Sequence, residues 1–323
     1  MGQARELKRL LIDQTLRDTT SWVKAVEDQW ARAHPGGSAH APIPAAEVDR
    51  YREVVRTEYY EWIEPAFERR LGPDPEACTP VIGELEGIVG RFQGGSDGRG
   101  GIAFTSPALS RISDVRTEMS YWQGALQVNF IDNFVTPLQS MSPNHARAAQ
   151  AAVEIFGMNK ILYIRYRRNT LDLLSKAIQA VEALKSSKDP KSYMWGTLLG
   201  ISIGTVLTLP TFGTGSLGVA AIVASTLAQG LAPEPPATSD LSAPTAQEIA
   251  ANVYAALGSM DRVLYDGECE VKHAFRDCCD TIATSCSNSI ASSTSGPLAV
   301  ATPAVSRATP ADITGGALRP SDR

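Results

Sequence analysis

Residues 142–186 read SPNHARAAQAAVEIFGMNKILYIRYRRNTLDLLSKAIQAVEALKS. Ser142-Pro143 is a helix start with proline in the first turn. Beyond it the run has no proline and one glycine, Gly157. The spacing predicts a single helix about 65 Å long at the usual rise of ~1.5 Å per residue. It is apolar on more than one side. Val153, Phe156, Tyr163, Leu174, Ile178 and Val181 line one stripe; Ile155, Leu162, Tyr166 and Leu173 line another. A helix with two apolar stripes is contacted by several partners. The expected fold is therefore all-α, an elongated helical bundle organised around this central helix.

Working upstream, Ser106-Pro107 opens a helix with Ile112, Val115 and Met119 on one face. It runs into Ser120-Tyr121-Trp122-Gln123-Gly124-Ala125, a tight corner in which Gly124 permits close backbone approach or a positive φ. Val128, Phe130, Ile131 and Phe134 form the second arm, with Phe130 and Phe134 four apart on one face, before Pro137 interrupts it. Residues 106–187 thus read as a helical hairpin plus the long central helix.

Residues 1–93 read as an N-terminal helical region. A first helix over 4–33 carries Leu7, Leu10, Leu11, Leu16, Val23, Val26 and Trp30, and His34-Pro35-Gly36-Gly37 ends it. A second spans 46–71, where Pro65 should kink the helix or mark its true end. Glu58, Glu61 and Glu64, with Arg56, Arg69 and Arg70 nearby, fit a solvated helix face better than a carboxylate site. A short helix over 74–93 precedes a Gly-rich linker at 94–105. A phosphate-cradling loop needs a strand before it and a Gly-Lys-Ser/Thr leading into a helix, and neither is found there.

Downstream of the long helix, residues 192–233 contain 42 residues without a charge. They divide into arms at 195–209 and 216–232, each short of the roughly 20 residues a bilayer-spanning helix needs. Gly196, Gly200 and Gly204 recur four apart, a smooth stripe of the glycine-zipper kind that allows close helix contact in apolar surroundings. The block is expected to form a hairpin: buried in a soluble bundle, entering a membrane on cue, or anchored in one throughout.

Residues 244–287 read as a closing amphipathic helix. Ile249, Val253, Leu257, Met260, Leu264, Val271, Phe275, Cys278, Ile282 and Cys286 make a near-heptad, coiled-coil-like seam for docking on the central helix. Cys269 and His273 sit four apart, but two ligands and a distant Asp280 do not make a zinc site. Residues 288–323, rich in Ser, Thr, Ala, Pro and Gly, are expected to be disordered.

The 323-residue chain has a net charge of −5, which argues against nucleic acid as a partner. Four of the five cysteines fall in one expected helix, unlike the dispersed cysteines of a disulfide-stapled domain. The four histidines lie in no His-Glu-x-x-His motif, and no Gly-x-Ser-x-Gly elbow is present. No catalytic residue, cofactor or metal is therefore expected, and the chain is read as not an enzyme. The segment Met1-Gly2-Gln3-Ala4-Arg5-Glu6 lacks an apolar signal core, so export is expected only by a route without a cleaved signal peptide.

Trp122-Gln123-Gly124, with Val115 seven residues before the tryptophan and Phe130 eight after it, resembles the WXG-type, ESAT-like family of helical-hairpin proteins. Its members are substrates and partners of type VII secretion. The resemblance covers residues 106–185, and the wider order of segments is similar to that of longer actinobacterial members. It implies a structural role for Val115, Trp122, Gly124, Phe130 and Phe134, and pairing with a helical partner protein or a second copy. It also implies a secreted or envelope-associated location after a cytoplasmic stage. The family's export signal is a tyrosine followed four residues later by an acid; here Tyr60 and Glu64 fit, and they precede the hairpin. The function expected is a non-enzymatic type VII-associated protein, membrane-active or pore-forming through the uncharged hairpin and its lipid contacts. The alternative is a soluble structural or adaptor module acting by helix pairing.

Overall fold

A computed structural model describes residues 2–34, 43–96, 102–104, 106–122, 125–186, 241, 243–292 and 298. Among them the chain is all-α apart from one pair of three-residue strands. The elements are α1 (Gly2–Ala33), α2 (Ala45–Thr57), α3 (Ile63–Leu71), a 3₁₀ turn (Pro75–Cys78) and α4 (Thr79–Phe92). There follow β1 (Gly94–Ser96), β2 (Ile102–Phe104), α5 (Pro107–Met119), α6 (Ala125–Phe130), a π-helical turn (Ile131–Val135), α7 (Thr136–Ser186) and α8 (Ala246–Ser292). The uncharged block, with Gly196, Gly200 and Gly204, lies outside the described residues, as does nearly all of the tail. Among the described residues no helix is long and apolar enough to cross a membrane.

The described residues form two compact units built from non-contiguous pieces. One takes the chain up to Pro75, residues 161–186 of α7 and residues 241–267. Its core is set by simple periodicities. Leu7, Leu10, Leu11 and Thr15 recur at three- and four-residue steps on α1 and are buried. Ile249, Val253, Leu257 and Met260 do the same on α8, and Leu173, Leu174, Ala177 and Val181 on α7. Val55, Tyr60, Ile63 and Phe67 of the α2–α3 region complete the cluster with Leu241. Burial of an aliphatic side chain of this size stabilises by about 1.5–3 kcal/mol. The outer end of α1 differs from the expected stripe: Trp30 is exposed and stacks on His34 with ring centroids 3.9 Å apart, and Trp22, outside that stripe, is exposed as well.

In this unit α7 and α8 run antiparallel. Leu162 lies against Gly267, where an added Cβ would sit 2.9 Å from Leu162 Cδ1. Four residues later on α7 and six earlier on α8, Tyr166 meets Asp261. The end of α7 and the start of α8 therefore fall at the same end of the unit.

The second unit comprises Glu76–Lys160 and the described residues from 268 onward. Ala151 and Ile155 of α7 pack with Ala274 and Cys278 of α8, flanked by Met158, Val271 and Ile282. A smaller cluster joins Ile112 and Val135 with Leu109, Phe130, Phe134 and Leu138. Part of the Gly-rich linker is an antiparallel ladder, Gly94 opposite Phe104 and Ser96 opposite Ile102.

Three prolines act differently from their sequence expectation. The second helix breaks at residues 58–62, and Pro65 sits in the first turn of α3, where a missing N–H costs nothing. Pro137 does not interrupt its arm. The Thr136 N–H bonds Ile131 O, five residues back, so the ladder has already widened into a π turn just before the proline. Pro143 does not start a helix but lies inside α7, where it removes one ladder bond; beside it, Ser142 Oγ donates to Leu138 O at 3.1 Å.

Candidate functional site

The Trp-x-Gly corner joins α5 to α6. Phe130 and Phe134, one turn apart, bring their ring centroids to 5.2 Å and face Ile112 and Val135. Val115 is exposed, and Trp122 and Tyr121 retain 54% and 77% of their free surface. Met119 O accepts the Trp122 N–H at 3.1 Å, closing the helix end. Gly124 lies outside the described residues. The structure thus brings Phe130 and Phe134 together in a core, while Val115 and Trp122, with Val128, leave apolar surface around the corner.

Tyr60 and Glu64, the pair that fits the export signal, lie inside the first unit. Tyr60 is buried, and its hydroxyl shares a 2.6 Å hydrogen bond with Thr15 Oγ1. Burial pushes its ionisation well above the ordinary tyrosine range, partly offset by that bond. Glu64 pairs with Arg5 at 3.5 Å and Lys8 at 3.8 Å, and Glu61 takes Lys8 at 2.7 Å. Glu61 and Glu64 thus pair with basic residues of α1, while Glu58 and Glu61 stay exposed as a solvated face requires.

The arginines of α3 have another task. Arg70 is buried and grips Asp261 of α8 through Nε at 2.9 Å and Nη2 at 2.5 Å, while Nη1 donates to Ala66 O. Tyr166 Oη donates to Asp261 Oδ1 at 2.6 Å, and Arg69 adds a longer contact of 3.4 Å. Burial and the neighbouring carboxylate hold the Tyr166 hydroxyl protonated far above its ordinary range. The network ties α3, α7 and α8 together, and all its polar ends are occupied, so it is structural chemistry. On α7, Arg167 donates to Pro73 O at 3.5 Å.

Cys269 and His273 gain no third ligand: among the described residues no three His, Cys, Asp or Glu converge as a metal site would require. Burial raises the Cys278 thiol, which favours the inert protonated form. Cys78 Sγ accepts from Asn159 Nδ2 at 3.5 Å.

A cavity of about 530 Å³ opens in the first unit between α1, α2 and the start of α8. Trp22, Val23, Ile43 and Val48 form its apolar side; Asp18, Tyr51 and Gln247 lie on its polar side. Asp18 closes the start of α8 by accepting the Ala246 N–H at 3.1 Å, and Gln14 Nε2 donates to its other oxygen at 2.8 Å. Gln14 Oε1 is buried without a hydrogen-bond partner. Thr245 Oγ1 accepts the Glu248 N–H at 3.3 Å, a second cap on α8. The sequence reasoning missed this cavity, although the Thr245-Ala246-Gln247-Glu248 spacing is a capping-box signal. The tertiary cap from Asp18, 228 residues away, leaves no local signal.

Comparisons of the chain with family models, curated proteins and solved structures gave no match.

Proposed function

We propose that this chain is a non-enzymatic helical protein associated with type VII secretion, and that it acts at a membrane through residues 192–233. What supports the reading is the pair of described chain ends that flank that block. The antiparallel contacts Leu162–Gly267 and Tyr166–Asp261, together with buried Leu241, bring Ser186 and Leu241, the described residues on either side of it, to one end of a packed unit. Between them the sequence runs for 42 residues, 192–233, without a charge, and a glycine stripe within it allows close helix contact in apolar surroundings.

The Trp-x-Gly corner supports the secretion half of the proposal. Its exposed Tyr121, Trp122 and Val128 offer an apolar surface that a helical partner would cover. Tyr60 is packed in the core, so the Tyr60/Glu64 pair is a poor signal in the folded chain, and the partner supplies the export signal instead. The same exposed corner favours the second reading, a soluble adaptor working by helix pairing alone.

Fractionation of the native host into culture filtrate, membrane and cytosol tests the proposal, alongside a strain whose type VII export ATPase is inactive. The protein should reach filtrate or membrane in the first strain and stay in the cytosol in the second. Cytosolic residence in both strains would contradict it.

A further inference from the structure

We infer that the cavity between α1, α2 and the start of α8 is a binding site for a small amphipathic cation, an ammonium group on an alkyl or aryl body. Its volume of about 530 Å³ falls in the ordinary range of small-molecule sites. Its apolar lining is Trp22, Val23, Ile43 and Val48. Trp22 lines the cavity with 58% of its surface exposed, and a tryptophan ring is the best aromatic partner for a cation.

Charge selects the sign of the ligand. The ionisable side chains of the lining that carry charge at neutral pH are Asp18 and Glu47; no lysine or arginine lines the cavity. Against these two negative charges stand the N-terminal ends of α2 and α8, each equivalent to roughly half a positive charge. The balance is about one negative charge, which favours a monocation over a neutral molecule and a neutral molecule over an anion. Each Asp18 oxygen is committed to one donor, Gln14 or Ala246, and retains a lone pair for another. Tyr51 accepts from Gln247 and its hydroxyl also pairs with Thr19, so the phenol is held in place on the polar side. The Gln247 amide holds that geometry from α8.

Calorimetric titration of the full chain at neutral pH with 1-octylamine, 1-octanol and octanoate tests the inference. Octylamine should bind about tenfold more tightly than octanol, with octanoate weakest, a ratio worth one attractive charge contact. Glu47→Gln, an exposed position, should narrow the amine–alcohol ratio several-fold while leaving octanol unchanged. Val23→Trp, which fills the apolar side, should abolish binding of all three with the helical melting curve retained. If Val23→Trp fails to fold, Val48→Phe serves the same purpose from α2. Equal binding of amine and alcohol would overturn the inference, as would octylamine binding that survives the filled cavity.

Discussion

Arg70 and Asp261, 191 residues apart, form a two-point ion pair, Nε–Oδ1 at 2.9 Å and Nη2–Oδ2 at 2.5 Å, with Tyr166 as third member. Arg70 is nearly buried, so its charge depends on Asp261 for compensation. Removing one partner of a buried pair costs about 3–5 kcal/mol, whereas replacing both by apolar groups is often near neutral. Asp261 keeps a third of its surface, which places the cost at the lower end. Asp261→Ala should therefore lower unfolding free energy by about 3 kcal/mol, and Arg70→Met with Asp261→Leu and Tyr166→Phe, which leaves no buried phenol without an acceptor, should recover most of it. Urea denaturation of the single and triple variants measures both.

Alkali should destabilise the protein through its buried phenols. Tyr60 and Tyr166 are both raised above the ordinary value of 10.0, burial being the first cause in each case. The folded state thus holds these protons more tightly than the unfolded chain does. Their contribution is fully present below about pH 10 and declines as pH rises further. Urea midpoints should fall between pH 10 and pH 12, and Tyr166→Phe should flatten the decline. A midpoint independent of pH in that window would refute the assignment.

Glycines on the long helices separate packing from propensity. Gly267 sits in the α8 seam, where an added Cβ would meet Leu162 Cδ1 at 2.9 Å. Gly157 and Gly258 have open space. Gly157→Ala and Gly258→Ala should each stabilise by about 0.5–1 kcal/mol, the helix-propensity gain. Gly267→Val should destabilise by about 1–3 kcal/mol through overpacking. Thermal or urea unfolding of the three variants checks the order.

Trp122 distinguishes a partner surface from a core. Because more than half of it is exposed, Trp122→Ala should change stability by no more than about 0.5 kcal/mol. Under the proposed pairing role, the same variant should lose co-purification with a helical partner or a second copy. Full assembly by the variant would remove the corner from the account.

Much of the helical content could be read from spacing, because helices such as α1, α7 and α8 carry their apolar residues at three- and four-residue steps that only a helix brings to one face. Proline rules misplaced two boundaries, since the i→i−5 bond from Thr136 to Ile131 is not encoded in any local motif. The site chemistry was less legible. Glu58, Glu61 and Glu64 looked like one solvated face, yet Lys8 and Arg5 of a distant helix hold two of them. Asp18 and Asp261 carried no signal at all, because each acts on a group far along the chain: Ala246 N–H for one, Arg70 for the other.

The central claim is that the uncharged block acts on a membrane, and dye release from liposomes tests it most directly. Purified full-length protein should empty vesicles when they contain lipid compositions and pH values spanning those of a cell envelope. Gly200→Glu, which puts a charge into the glycine stripe at a cost of ~2.5–3.5 kcal/mol or more in hydrocarbon, should abolish release. Intact vesicles at every composition and pH, or release undiminished by Gly200→Glu, would contradict the account.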